Sequence, residues 1–255
     1  MDRLIFTSLK SVTEDRIRRE MLTNEMANVS TVGFKRSYES ALRAIKVQGP
    51  GFDSRFMPVL EQRDVINLEP GVRMVTGRKL DIALDGNTVM GVSARNGDLA
   101  FTRRGDLRVN PSGVLENGEG FALRGQGGPI NVPQGFEIDV LTDGSVFASD
   151  PNNPNQPAQQ IGRILLRDAS QATLGRREDG LFKPVLGSAS NDGDFASGPT
   201  PPSLTPGVLE GSNVSPIEGM VRMLDQTRSF ETQIRIIKET RSLDESGATM
   251  LRSGR

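Results

Sequence analysis

The feature that most restricts this chain is the contrast between its two ends and its middle. Residues from about 3 to 30 contain neither Gly nor Pro. Ile5, Leu9 and Val12 recur at helical spacing, and Met21, Leu22, Met26 and Val29 resume an apolar side after a charged block. Glu14–Arg18, Asp15–Arg19 and Arg16–Glu20 stand four apart with opposite charge, where helical side chains meet. At the other end, Ser215-Pro216-Ile217-Glu218 combines an N-cap, a proline at the first helical position and a capping-box glutamate. Ile217, Met220, Leu224, Phe230, Ile234 and Ile237 then form an apolar stripe at coiled-coil-like spacing. A helix running to about residue 250 would be roughly 50 Å long.

The middle, roughly 67 to 190, follows the period of strands. Leu80-Asp81-Ile82-Ala83-Leu84 is followed by the turn Asp85-Gly86-Asn87. Phe136 to Leu141 and Ser145-Val146-Phe147 flank Thr142-Asp143-Gly144. Short strands with turns about every ten residues predict an all-β sandwich or barrel. The expected fold class is therefore α+β: paired N- and C-terminal helices, coiled-coil-like, with a central all-β domain. Its expected divisions are an N-terminal helix over 1–32, an extended arm over 33–66, a β-domain over 67–195, a proline-rich linker over 196–214 and a C-terminal helix over 215–255. A two-helix pair has a thin core, so its stripes read either as a helical hairpin packed on the middle domain or, in the sharper reading, as half of an intermolecular interface.

Chemistry is limited by what the 255 residues lack. There is no Cys, no His and no Trp. Disulfides, thiolate nucleophiles and Cys-ligated metals are excluded, as are Ser-His-Asp and Cys-His catalysis. Thirty-one basic residues against 32 acidic ones leave a net charge of −1, which gives no reason to expect a nucleic-acid partner. No stretch approaches the ~20 apolar residues of a membrane span, and the N-terminus lacks the apolar core of a secretory signal. Arg104-Gly105-Asp106 spells an adhesion tripeptide but reads as a hairpin turn. Gly125-Gln126-Gly127-Gly128 precedes prolines rather than a helix, so it is no phosphate cradle. Asp192 and Asp194 lack the spacing and closing Glu of a calcium loop. No cofactor or metal is expected. A periplasmic carbohydrate-active or carbohydrate-binding β-domain is the reading from a different class, and an adhesin rests on the tripeptide alone.

Three stretches together resemble one family. Ala27-Asn28-Val29-Ser30-Thr31-Val32-Gly33-Phe34-Lys35 is similar to the signature closing the N-terminal helix of flagellar rod and hook proteins. Leu80 to Gly86 with Phe101 to Gly105 resembles their β-domain motif, and Ser212 to Glu218 with Arg228-Ser229-Phe230-Glu231 resembles the opening of their C-terminal helix. The opening residues and the length are most like the proximal-rod members, with the distal rod as the alternative. Glu25, Met26 and Arg104 depart from the common residues. The resemblance implies a non-enzymatic rod subunit whose terminal helices form an inner tube with copies of itself and other rod axial proteins. It also implies export through the flagellar type III apparatus and a periplasm-spanning location. The expected assembly interface comprises Ile5, Leu9, Val12, Met26, Asn28, Gly33, Phe34, Ile217, Met220, Leu224, Phe230, Ile234 and Ile237. Within it, Gly33 is expected to be a left-handed cap ending the N-terminal helix, with Phe34 packed just beyond.

Overall fold

The computed structural model describes residues 2–38, 42–46, 56–60, 65–153, 156–185 and 193–253. The chain divides into two compact units. One comprises residues 1–27, 39–63 and 215–255, and the other residues 28–38 and 64–214.

The first unit holds helix α1 (Asp2–Ala27), an antiparallel pair of strands Leu42–Lys46 and Phe56–Leu60, and helix α2 (Pro216–Ser253). The serine N-cap at the start of α2 is formed. The Glu218 amide donates to Ser215 Oγ at 3.4 Å, and the Gly219 amide to the Ser215 carbonyl at 3.0 Å. The two helices pack on one another. Gln233 Nε2 donates to Asp15 Oδ2 at 2.6 Å, and the Arg19 guanidinium lies 5.2 Å from the Phe230 ring centroid. The sulfur of Met26 sits where Gly219 has no side chain.

The second unit is built of strands and turns. Its largest sheet has five antiparallel strands in the order Leu166–Asp168, Thr88–Ser93, Leu99–Thr102, Phe182–Pro184, Leu174–Arg176. A three-stranded sheet runs Glu137–Val140, Ser145–Ser149, Gln159–Arg163. Ile82, Leu84, Met90, Val92, Leu107, Leu115, Leu123 and Val146 are fully buried in one core. Each such side chain contributes about 1.5–3 kcal/mol by leaving water. A second cluster gathers Val89, Phe101, Phe182 and Phe195, with the Phe101 and Phe195 rings edge to face at 4.9 Å. The outgoing chain also enters this unit as two short strands. Leu204–Pro206 pairs with Ile82–Leu84, and Val208–Glu210 with Arg73–Val75.

This architecture corrects the expected fold class on two points. Most of its elements are strands, and they are not confined to a central domain: they begin at Leu42 and continue to Glu210, with helices only at the two ends among the described residues. Nor do the helices meet along a coiled-coil-like apolar seam. The sheltered face of α2 carries Gly219, Arg222, Gln226, Phe230, Gln233, Ile234, Ile237 and Thr240. Ile217 and Leu224 are instead 72% and 61% exposed. Helical spacing alone cannot say which of two adjacent stripes is buried. Here the Gly219–Met26 approach and the Asp15–Gln233 bond set the rotation of the helix.

A second correction concerns the adhesion tripeptide, which is not a hairpin. Strand Leu99–Thr102 pairs backwards with Thr88–Ser93, and Leu107–Val109 pairs onward with Leu115–Asn117. Arg104 to Asp106 is the crossing between them. Gly105 lies directly on the Ile82 carbonyl, with no room for a Cβ.

Candidate functional site: a buried charge node

The node lies wholly within the second unit and is made of Lys35, Arg103 and Glu210, whose side chains are all 0% exposed. Glu210 ends the strand Val208–Glu210. Its Oε2 accepts from Arg103 Nε at 2.9 Å and faces Nη2 at 2.8 Å. Its Oε1 accepts from Lys35 Nζ at 2.8 Å and from the Gly71 amide at 3.0 Å. Arg103 Nη1 also donates to the carbonyls of Gly86 at 2.7 Å and Thr88 at 2.9 Å, and Nη2 to that of Leu84 at 2.7 Å. Four of the five guanidinium hydrogens are thereby placed in hydrogen bonds, and the charge is paired with Glu210. Lys35 Nζ donates a second bond, to the Glu69 carbonyl at 2.7 Å. Burial, and after it the neighbouring Arg103 charge, lowers the Lys35 ammonium from its ordinary 10.5 to about 8.

Around the node the incoming chain is stitched to the outgoing chain. The Gly33 amide donates to the Glu210 carbonyl at 2.7 Å, and the Asn213 amide to the Phe34 carbonyl at 3.3 Å. Asn213 Oδ1 accepts from the Arg36 amide at 2.7 Å, while its Nδ2 donates to the carbonyls of Asn67 and Glu69. Arg176 donates to the Lys35 carbonyl and places its guanidinium 4.4 Å from the Phe34 ring centroid.

Gly33 does have a left-handed backbone, φ 69°, but not as a helix cap. Helix α1 stops at Ala27, and Gly33 is pressed against the backbone of Arg103 and Arg104, where a Cβ would come within 2.5 Å of the Arg103 carbonyl oxygen. Its conformation serves a close approach between two chain segments. Phe34 packs under Arg176.

The other expected interface residues fall elsewhere. The side chains of Ile5 and Leu9 lie outside the described residues. Val12 and Met26 are half-buried in the first unit, as are Phe230, Ile234 and Ile237, while Ile217, Met220 and Leu224 are exposed. Asn28 Oδ1 accepts from Thr31 Oγ1 at 3.1 Å. Sequence reasoning assigned no role to Lys35, Arg103, Glu210 or Asn213, although all but Glu210 stand within the quoted motifs. Nothing local marks a partner 175 residues away.

The alternative chemistries find little support. Arg104 binds Asp106 at 2.7 Å and Glu119 at 2.9 Å, so the charged ends of the tripeptide face each other rather than a receptor. The glycine loop at 125–128, with Gln160 and Arg163, lines an open depression that includes no carboxylate. Among the described residues no group of three or more acidic side chains is placed to hold a metal, and no helix is long and apolar enough to cross a membrane.

The charge node has no exposed atom with which to meet a substrate; what it holds together is chain segments. The comparisons with known proteins define the class, a structural subunit. Two family models match: the flagellar hook protein FlgE/F/G D1 domain over residues 83–148, and the flagellar basal body rod FlgEFG protein C-terminal region over 205–250. The flagellar basal-body rod protein FlgF of Salmonella typhimurium is 34% identical over 96% of both chains, and that of Escherichia coli 32% identical over 93% of both. The rod protein FlgG of Bacillus subtilis is 27% identical over 93% of this chain and 94% of its own. The chain belongs to the flagellar basal-body rod protein family, with FlgF-like sequence, and is a structural subunit of the rod.

Proposed function

We propose that the chain stacks with copies of itself and with other rod axial proteins into a helical tube, through its terminal helices, and that the tube transmits torque from motor to hook. The observation that carries this reading is the exposed apolar set on α2, Ile217, Met220 and Leu224, on a helix whose sheltered face is largely polar. A contact between unlike patches does not close on itself and so propagates a filament. The FlgF proteins of Salmonella typhimurium and Escherichia coli, more similar than FlgG of Bacillus subtilis, support a proximal position. The subunit travels through the flagellar type III apparatus to a rod spanning the periplasm. It acts without cofactor or catalysis. The absence of Cys suits passage as an unfolded chain, since nothing can crosslink on the way.

Leu224→Asp places a charge in this exposed set, and Ile234→Asp places one on the sheltered face of the same helix. Both should abolish rods in vivo while circular dichroism of the purified chain keeps its strand signal. Normal rods from both would refute the assembly role of α2. Labelled protein found at the distal end of isolated basal bodies would refute the proximal position.

A further inference from the structure

We propose that residues 33–38 form a strap that opens from the second unit while the strand core stays closed, and that Lys35 acts as an excess buried charge favouring the open state rather than as a tie. The node sets two cations against one carboxylate, so it is one positive charge in excess where no side chain reaches water. The hydrogen bonds of Lys35 are redundant. Glu210 Oε1 keeps the Gly71 amide without it, and the Glu69 carbonyl keeps Asn213 Nδ2. Arg103 is different, since its other partners are the carbonyls of Leu84 and Thr88, on buried strands, and of Gly86 in the turn between them. Removing the ammonium therefore orphans no acceptor and leaves a balanced Arg103–Glu210 pair.

The groups around the Lys35 ammonium agree. Glu210 attracts it, whereas Arg103 and Arg73 repel it. The Glu69 carboxylate is occupied by Asn67, and Arg176 is engaged at the Lys35 carbonyl. Burial is the largest effect, and the ammonium is lowered to about 8. The closed strap thus holds fewer protons than the open one between pH 8 and 10.5. Closure strengthens as pH rises through that window and is weakest below it. The strap's ties to the core are a few hydrogen bonds and the Phe34–Arg176 contact, the kind of segment that opens below the global unfolding free energy.

Hydrogen exchange on the full chain tests this. The strap reporters are the amides of Gly33, Tyr38 and Asn213. The core reporters are those of Gly91, Ser93 and Leu107. At pH 7, Lys35→Met should slow strap exchange on the order of ten- to a hundred-fold, with core exchange unchanged. The difference between wild type and variant should shrink by pH 9.5. Asn213→Ala, which removes the side-chain acceptor of the Arg36 amide, should speed strap exchange alone. Faster strap exchange in Lys35→Met would overturn the assignment and make Lys35 an ordinary tie. Strap and core reporters moving together in Asn213→Ala would overturn the separate opening.

Discussion

At the scale of single residues, the members of the node are not equivalent. Arg103→Met withdraws a donor from three carbonyls, two of them on buried strand residues, and should cost about 3 kcal/mol or more. Lys35→Met should leave the urea midpoint at pH 7 unchanged or raised, and the two variants side by side make the comparison. Gly33→Ala should itself cost about 2 kcal/mol or more. The left-handed backbone accounts for part of that, and the Cβ contact with the Arg103 carbonyl for the rest. A full-stability Gly33→Ala chain in urea denaturation would contradict this close approach. The need for glycine at 33 could be read from the chain, but its reason could not. Local pattern points to the nearest helix end, whereas the neighbour that excludes a side chain is Arg103, supplied by tertiary packing.

At the scale of elements, the helix starts were the most legible, because capping chemistry is local and Ser215 to Gly219 behaves as its residues dictate. Turn chemistry was legible too: Gly86 and Gly144 both take positive φ where Asp-Gly pairs announced turns. Partner choice was not. A strand reads the same whichever neighbour it takes, so Leu99–Thr102 and Leu107–Val109 looked like one hairpin although each pairs away from the other. Gly105→Ala tests that crossing. Its Cβ would collide with the Ile82 backbone, so a loss of several kcal/mol is expected in thermal denaturation, far above the ~0.5 kcal/mol of an ordinary surface change. Leu224→Asp, on an exposed helix face, should leave the monomer's unfolding curve within about 0.5 kcal/mol, and any loss of rods is then an effect on association alone.

At the scale of the whole molecule, the second unit contains its own apolar cores and its own node, drawn from residues 28–38 and 64–214. A fragment covering 28–214 should therefore unfold cooperatively with a strand-rich circular dichroism spectrum, and one covering 38–214, which lacks the strap's first ties, should still do so at a lower midpoint. A non-cooperative 28–214 fragment would show that the core needs the helices. The stitching of incoming to outgoing chain has a mechanical meaning. Tension applied at residues 28 and 214 reaches the Gly33–Glu210 and Asn213–Phe34 hydrogen bonds before it reaches any core strand. The body is thus bypassed by a short circuit, and a pull between its two ends should first yield a small, low-force extension, then a separate rupture of the sheets. Optical-tweezer traces with handles at those two positions would show the two events, and a single rupture would mean the load passes straight through the core.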